Sequence, residues 1–63
     1  MKEDKLPVPG ELWINTTTYE YLYIDAVNAR ETTRVVFFYY LGDTHERQSR
    51  FLSYFLSHFK KYE

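Results

Sequence analysis

The sequence predicts a mainly β domain with a C-terminal helix: an α+β chain whose bent antiparallel sheet of three to five strands is closed by that helix. Three observations carry this. Residues 33–41, TRVVFFYYL, are dense in β-branched and aromatic side chains, the composition of a strand. Residues 19–27 alternate, with Leu22, Ile24 and Ala26 on one face and Tyr19, Tyr21, Tyr23 and Asp25 on the other. Near the end of the chain, Leu52, Phe55, Leu56 and Phe59 recur at the three- and four-residue spacing of a helix.

Residues 1–8 form an extended or frayed N-terminal segment, charged at Met1–Lys5 and held open by Pro7 and Pro9. Gly10 punctuates it, and Glu11–Ile14 reads as the first strand. The polar Asn15–Thr18 forms a turn whose side chains bond the local backbone. Tyr19–Val27 is the second strand, Asn28–Thr32 a hairpin loop, and Thr33–Leu41 the third strand. Gly42–Thr44 turns the chain again. Residues 45–53 admit either a short, polar fourth strand at a sheet edge, the favoured reading, or a longer helix capped by Ser49. The closing helix starts at a Ser53 N-cap, and Lys60 and Lys61 suit its negative C-terminal end.

These elements belong to one domain spanning residues 1–63. A chain this short buries only about 60% of its unfolded surface, and with no cysteine it has no disulfide to compensate. Its extra apolar mass is aromatic: seven Tyr, five Phe and one Trp, each ring worth roughly 150–250 Å² of burial. Eight Lys/Arg against nine Asp/Glu give a net charge of −1, too balanced for a bulk nucleic-acid binder. The longest apolar run falls far short of the roughly 20 residues that a membrane span needs. The charged start runs into Pro-Val-Pro-Gly rather than an apolar leader. The expectation is a cytoplasmic protein that contacts no membrane.

Two resemblances bear on the fold. Pro9-Gly10-Glu11-Leu12-Trp13 resembles the first strand of small SH3-like barrels, including toxin nucleases of the MazF and PemK type. The ending Phe51-Leu52-Ser53-x-Phe55-x-x-x-Phe59 is similar to the last strand and short helix of small phage and prophage proteins with SH3-like folds. The first covers one strand and carries over no catalytic position. Together they imply an SH3-like barrel and, for a phage-type protein, a modulator or inhibitor of a host protein.

Chemistry-bearing motifs are sparse. His45 and His58 are thirteen residues apart, without the close-set His, Cys or carboxylate partners of a metal site. Asp25 and His58 are the only candidates for a catalytic pair, and nothing in the sequence joins them. Gly10 and Gly42 form no phosphate loop. The expectation is therefore no enzyme, no cofactor and no small-molecule substrate.

The residues that invite a functional reading are aromatic. In strand three, Val35, Phe37, Tyr39 and Leu41 point one way while Val36, Phe38 and Tyr40 point the other. One set completes a core with Leu12, Ile14, Leu22 and Ile24. The other needs a cover, which is either the helix through Phe55 and Phe59, a second subunit or a target. Exposed aromatic patches mark interaction sites, and tyrosine is favoured there. The expected partner surface comprises Tyr19, Tyr21, Tyr23 and Tyr39 with Arg30, Arg34 and Arg50, meeting a host protein or a second copy of this chain. Arg30, Arg34, Arg47 and Arg50 form the one locally basic set. The alternative is single-stranded nucleic acid stacked on the same tyrosines beside Arg30, Arg34 and Arg50, against which stands the plain pairing of these cations with Glu20, Glu31 and Glu46.

Overall fold

The computed structural model describes residues 6–29 and 34–62. Five strands form one antiparallel sheet: β1 (Leu12–Asn15), β2 (Tyr21–Ala29), β3 (Arg34–Tyr40), β4 (Asp43–Phe51) and β5 (Phe59–Lys61). A single short helix, α1 (Leu52–His58), joins β4 to β5. The strand order is β4-β3-β2-β1-β5, so the last strand returns to pair with the first. β4 and β5 are the two edges, and the sheet does not close.

Gly10 starts the sheet. Its φ of 95° and the bond from the Glu11 amide to the Val8 carbonyl make Val8-Pro9-Gly10-Glu11 a type II turn, with Pro second and Gly third. The Gly10 amide then donates to the Ile24 carbonyl, anchoring the turn to β2. Pro7, within the extended N-terminal segment, is buried. The β1–β2 turn uses Asn15, whose side-chain oxygen accepts from the Thr17 and Thr18 amides.

One face of the sheet holds the core. Trp13, Leu22, Ile24, Val36 and Phe38 are buried there, and α1 adds Leu52 and Phe55, followed by Phe59 at the start of β5. Phe38 is the hub: its ring lies 5.6 Å from Phe55, 5.4 Å from Phe59 and 5.4 Å from Tyr40. Phe55 also meets Trp13 at 5.0 Å and stacks on Phe59 at 4.4 Å. Seven residues are too few to hold a helix in water, so α1 exists because Leu52 and Phe55 are buried under the sheet.

Several expectations change. Trp13, rather than Leu12 and Ile14, enters the core, which puts those two on the opposite face. Ala26 leaves the core face because β2 carries a bulge between Ile24 and Ala26; Asp25 is the extra residue, and Val27 takes the inward position. Tyr19 lies before β2, in the turn, with φ 64°. Asp43 and Thr44 belong to β4, which is longer than expected; its ladder to β3 is interrupted between Phe38 and Tyr40. Asn28 and Ala29 belong to β2, and the rest of the expected 28–32 loop lies outside the described residues.

The helix is also shorter and differently capped. Its N-cap is Phe51 with no side-chain cap bond, so neither Ser53 nor Ser49 serves. It ends at His58 because Thr16 claims the His58 carbonyl through both its amide (3.0 Å) and its hydroxyl (2.8 Å). Lys60 and Lys61 therefore lie in β5, not at a helix end. Most consequentially, α1 does not form a second layer on the far side of β3. Helix and core occupy the same side.

The Glu11 carboxylate ties the start of β1 to the preceding turn and to β5. One carboxylate oxygen accepts from the Val8 amide (3.0 Å) and the Trp13 indole (3.1 Å), while the other meets Lys61 of β5 at 3.1 Å. Desolvation alone would raise this carboxyl. The bonds from Trp13 and Val8, with Lys61, outweigh it and hold the group below its ordinary value.

Two predictions follow from this packing. Phe38→Ala should cost roughly 3–5 kcal/mol, a third or more of a total of roughly 3–9 kcal/mol for a chain of this length, so urea titration should find its midpoint far below that of the wild type. Because the Glu11 carboxyl ionises more readily folded than unfolded, its contribution is complete above the unfolded pKa and is lost as pH falls through the folded one. The urea midpoint should drop across the acidic range below about pH 5, and Glu11→Gln should flatten that dependence.

Candidate functional site

With α1 on the inner side, the opposite face of the sheet is left to the side chains that alternate away from the core. Residues paired across a ladder share a face, and the registers arrange this outer face in rows. Lys60, Ile14 and Tyr21 form one row, and Leu12, Tyr23 and Tyr39 the next. Ala26, Phe37 and Ser49 form a third, followed by Asn28, Val35 and Phe51. The amide of Leu41 donates to the Tyr21 carbonyl, so Leu41 extends the first row.

Rings dominate the middle of this surface. Tyr23 and Tyr39 stack across the β2–β3 ladder at 5.5 Å and 24°. Tyr62 meets Tyr21 edge-on at 5.4 Å. Tyr21 and Tyr62 keep 43% and 52% of their surface exposed, while Tyr23, Phe37 and Tyr39 are half-buried by their neighbours. Such rings present a rigid apolar contact surface, and the tyrosines add hydroxyls at its border.

The bulge supplies the face with an acidic group. Asp25, displaced outward, accepts from Arg47 Nε at 3.0 Å and lies 2.9 Å from its terminal nitrogen. The same guanidinium sits 4.3 Å over the Phe37 ring. Arg47 is thus fixed flat against the sheet by a carboxylate and a ring. The sequence places Asp25 on the tyrosine face and Arg47 among the nearby arginines, but not their pairing, because the bulge that joins them has no marker residue in β2.

The expected partner residues separate. Tyr21, Tyr23 and Tyr39 do come together. Tyr19 stands apart in the β1–β2 turn, 73% exposed. Arg50 pairs with Val36 in the ladder and therefore belongs to the core-side face, where its guanidinium lies 5.9 Å from the Phe38 ring and donates to the Ser49 carbonyl. Arg34 is exposed at the start of β3, distant from the tyrosine rows along the ladder. Arg30 lies outside the described residues. The cations that accompany the aromatic face are Arg47, over Phe37, and Lys60, in the row of Tyr21.

The remaining features offer less chemistry. A cavity of about 370 Å³ opens at the end of β4, lined by Val35, Ser49, Arg50, Phe51 and Tyr54. His58 stacks on Tyr54 at 4.1 Å, while His45 is exposed on β4. Among the described residues no three His, Cys, Asp or Glu side chains gather as a metal site would require, and no helix is long and apolar enough to cross a membrane. Comparison with protein-family models, curated proteins and solved structures finds no match for this chain.

The Asp25–Arg47 pair is exposed by 37% and 48%, so its ionic coupling should be small. A double-mutant cycle with Asp25→Asn and Arg47→Gln should give a coupling of no more than about 1 kcal/mol in thermal denaturation, shrinking with added salt. A larger value would make the pair structural.

Proposed function

We propose that this chain is a non-enzymatic protein-binding module that engages its partner through the outer aromatic face of the sheet. The observation that carries this is the stacked Tyr23–Tyr39 pair, set between Tyr21 and Phe37 on the side of the sheet opposite α1. A small chain gains nothing in its own core from rings placed there. Against a partner, rings already held by cross-strand contacts lose little entropy on binding.

The strand order, with β5 returning to β1 and a short helix between β4 and β5, supports the finer reading of the fold as an SH3-like barrel left open between its edges. The likeness to small phage proteins makes a host protein the expected partner. Single-stranded nucleic acid is the weaker reading, because Arg47 is neutralised by Asp25 and Arg50 belongs to the other side, which leaves Lys60 alone to meet phosphates from the tyrosine rows.

Affinity capture from the native cytosol tests the proposal, using the wild-type chain and a Tyr21→Ser/Tyr23→Ser/Tyr39→Ser variant shown to be folded by near-ultraviolet circular dichroism. A protein retained by the wild type and lost with the variant is the expected result. Equal retention by both moves the binding surface elsewhere. Anisotropy with single-stranded oligonucleotides at two salt concentrations should show no tyrosine-dependent binding; binding that falls steeply with salt would establish the nucleic-acid reading instead.

A further inference from the structure

Among the described residues β4, nine residues long from Asp43 to Phe51, is an edge strand hydrogen-bonded on one side only, to β3. Proteins commonly protect such an edge with charge or irregularity, and β4 has both. Its charges, however, fall in an order that does more than repel. From Glu46 onward the strand reads Glu-Arg-Gln-Ser-Arg-Phe, with opposite charges at Glu46 and Arg50 placed symmetrically about Gln48.

A two-fold axis perpendicular to the sheet pairs such an edge with its own copy, antiparallel, and the axis must pass through one residue position. Centred on Gln48, the ladder sets Glu46 opposite Arg50 of the second copy, and by symmetry Arg50 opposite Glu46. Arg47 then faces Ser49, and His45 faces Phe51. No like charges meet. Shifting the centre to Glu46, Arg47 or Arg50 places that residue against its own copy, a like-charge contact. Centring on Ser49 leaves Arg50 opposite Gln48 and Glu46 without an opposed cation. Centring on His45 pairs Arg47 with Asp43, but only by drawing Arg47 from Asp25 and by lying wholly in the half of β4 where the ladder to β3 is interrupted, whereas the Gln48 register takes one residue of each pair from the regular half.

The side-chain surroundings agree with the Gln48 register. Among the described residues, Arg50 has contacts to the Ser49 carbonyl and the Phe38 ring but no carboxylate within ion-pair distance. Phe51 is 66% exposed and Tyr54 48%, both beside the cavity at the end of β4. In this register the second copy's residues 43–45 run past that cavity, bringing His45 against Phe51 and covering the apolar surface that an edge-to-edge ladder alone would leave open.

We propose that the chain forms a symmetric dimer through antiparallel pairing of β4 with β4 of a second copy, in the register centred on Gln48. Because the axis is perpendicular to the sheet, the two outer aromatic faces lie on the same side of one ten-stranded sheet. The dimer would then offer two copies of that surface to one target. The pairing itself does not depend on what the aromatic face binds.

Charge exchange tests both the dimer and its register. Sedimentation equilibrium of the wild type should show a monomer–dimer equilibrium that weakens with added salt. Glu46→Arg places Arg opposite Arg50 twice, and Arg50→Glu places Glu opposite Glu46 twice. Each variant alone should dimerise at least about ten-fold more weakly. An equimolar mixture of the two should regain dimers, because both charge pairs re-form in the heterodimer. Glu46 is exposed, so its variant reports association even if Arg50→Glu disturbs the packing over Phe38. A wild type that stays monomeric, a dimer indifferent to Glu46→Arg, or a mixture of folded variants that fails to recover would each overturn the proposal.

Discussion

The packing of α1 against Phe38 is the contact on which the remaining architecture depends. Phe38 sits in the middle of β3 with Phe55, Phe59 and Tyr40 around it, and Phe55 passes the contact on to Trp13 of β1. These rings come from the first, third and last strands and from the helix. They therefore close the chain on itself in the way that a disulfide does in other proteins of this size. Burying them also decides which way every strand faces. Once Phe38 points inward, alternation sends Phe37 and Tyr39 outward, and the ladder carries Tyr23, Leu12 and Val35 with them.

The outer face is therefore a consequence of the inner one. The one helix among the described residues lies on the side that holds Trp13 and Phe38. What remains outside is partly shielded by its own neighbours: Tyr23 leans on Tyr39, Tyr21 on Tyr62, and Phe37 lies beneath the Arg47 guanidinium. That arrangement keeps an aromatic surface tolerable in water without removing it from reach. It also fixes the ring positions before any partner arrives, which lowers the entropic cost of contact.

Much of this was legible in the residues, and what was not has identifiable causes. Strands β2 and β3 declare themselves by alternation and by β-branched and aromatic content, and Leu52 with Phe55 marks the helix. The outer grouping of Tyr21, Tyr23 and Tyr39 follows from period two alone. The bulge at Asp25 was hidden because no Gly marks it, and it moves Ala26 out of the core and Val27 in. Phe59 was read as helical because its spacing from Phe55 is four, and the two rings do stack. Its backbone is nevertheless a strand, since the end of α1 is set by Thr16, forty-two residues earlier. Trp13 against Leu12 and Ile14 was a choice of strand phase that a four-residue element cannot settle locally. Arg47 was grouped with the other arginines near the tyrosines, but its partners Asp25 and Phe37 were not, because only the sheet brings them to it.

The central claim is that helix and core share one side of the sheet and leave an aromatic face open on the other. Solvent paramagnetic relaxation of the aromatic ring protons by a soluble gadolinium chelate tests it most directly. The account predicts strong broadening at Tyr21 and Tyr62, intermediate broadening at Tyr23, Phe37 and Tyr39, and protection at Trp13, Phe38, Phe55 and Phe59. Protection of Tyr21, Tyr23 and Tyr39 equal to that of Phe38 would contradict it, since it would place a second layer over the outer face.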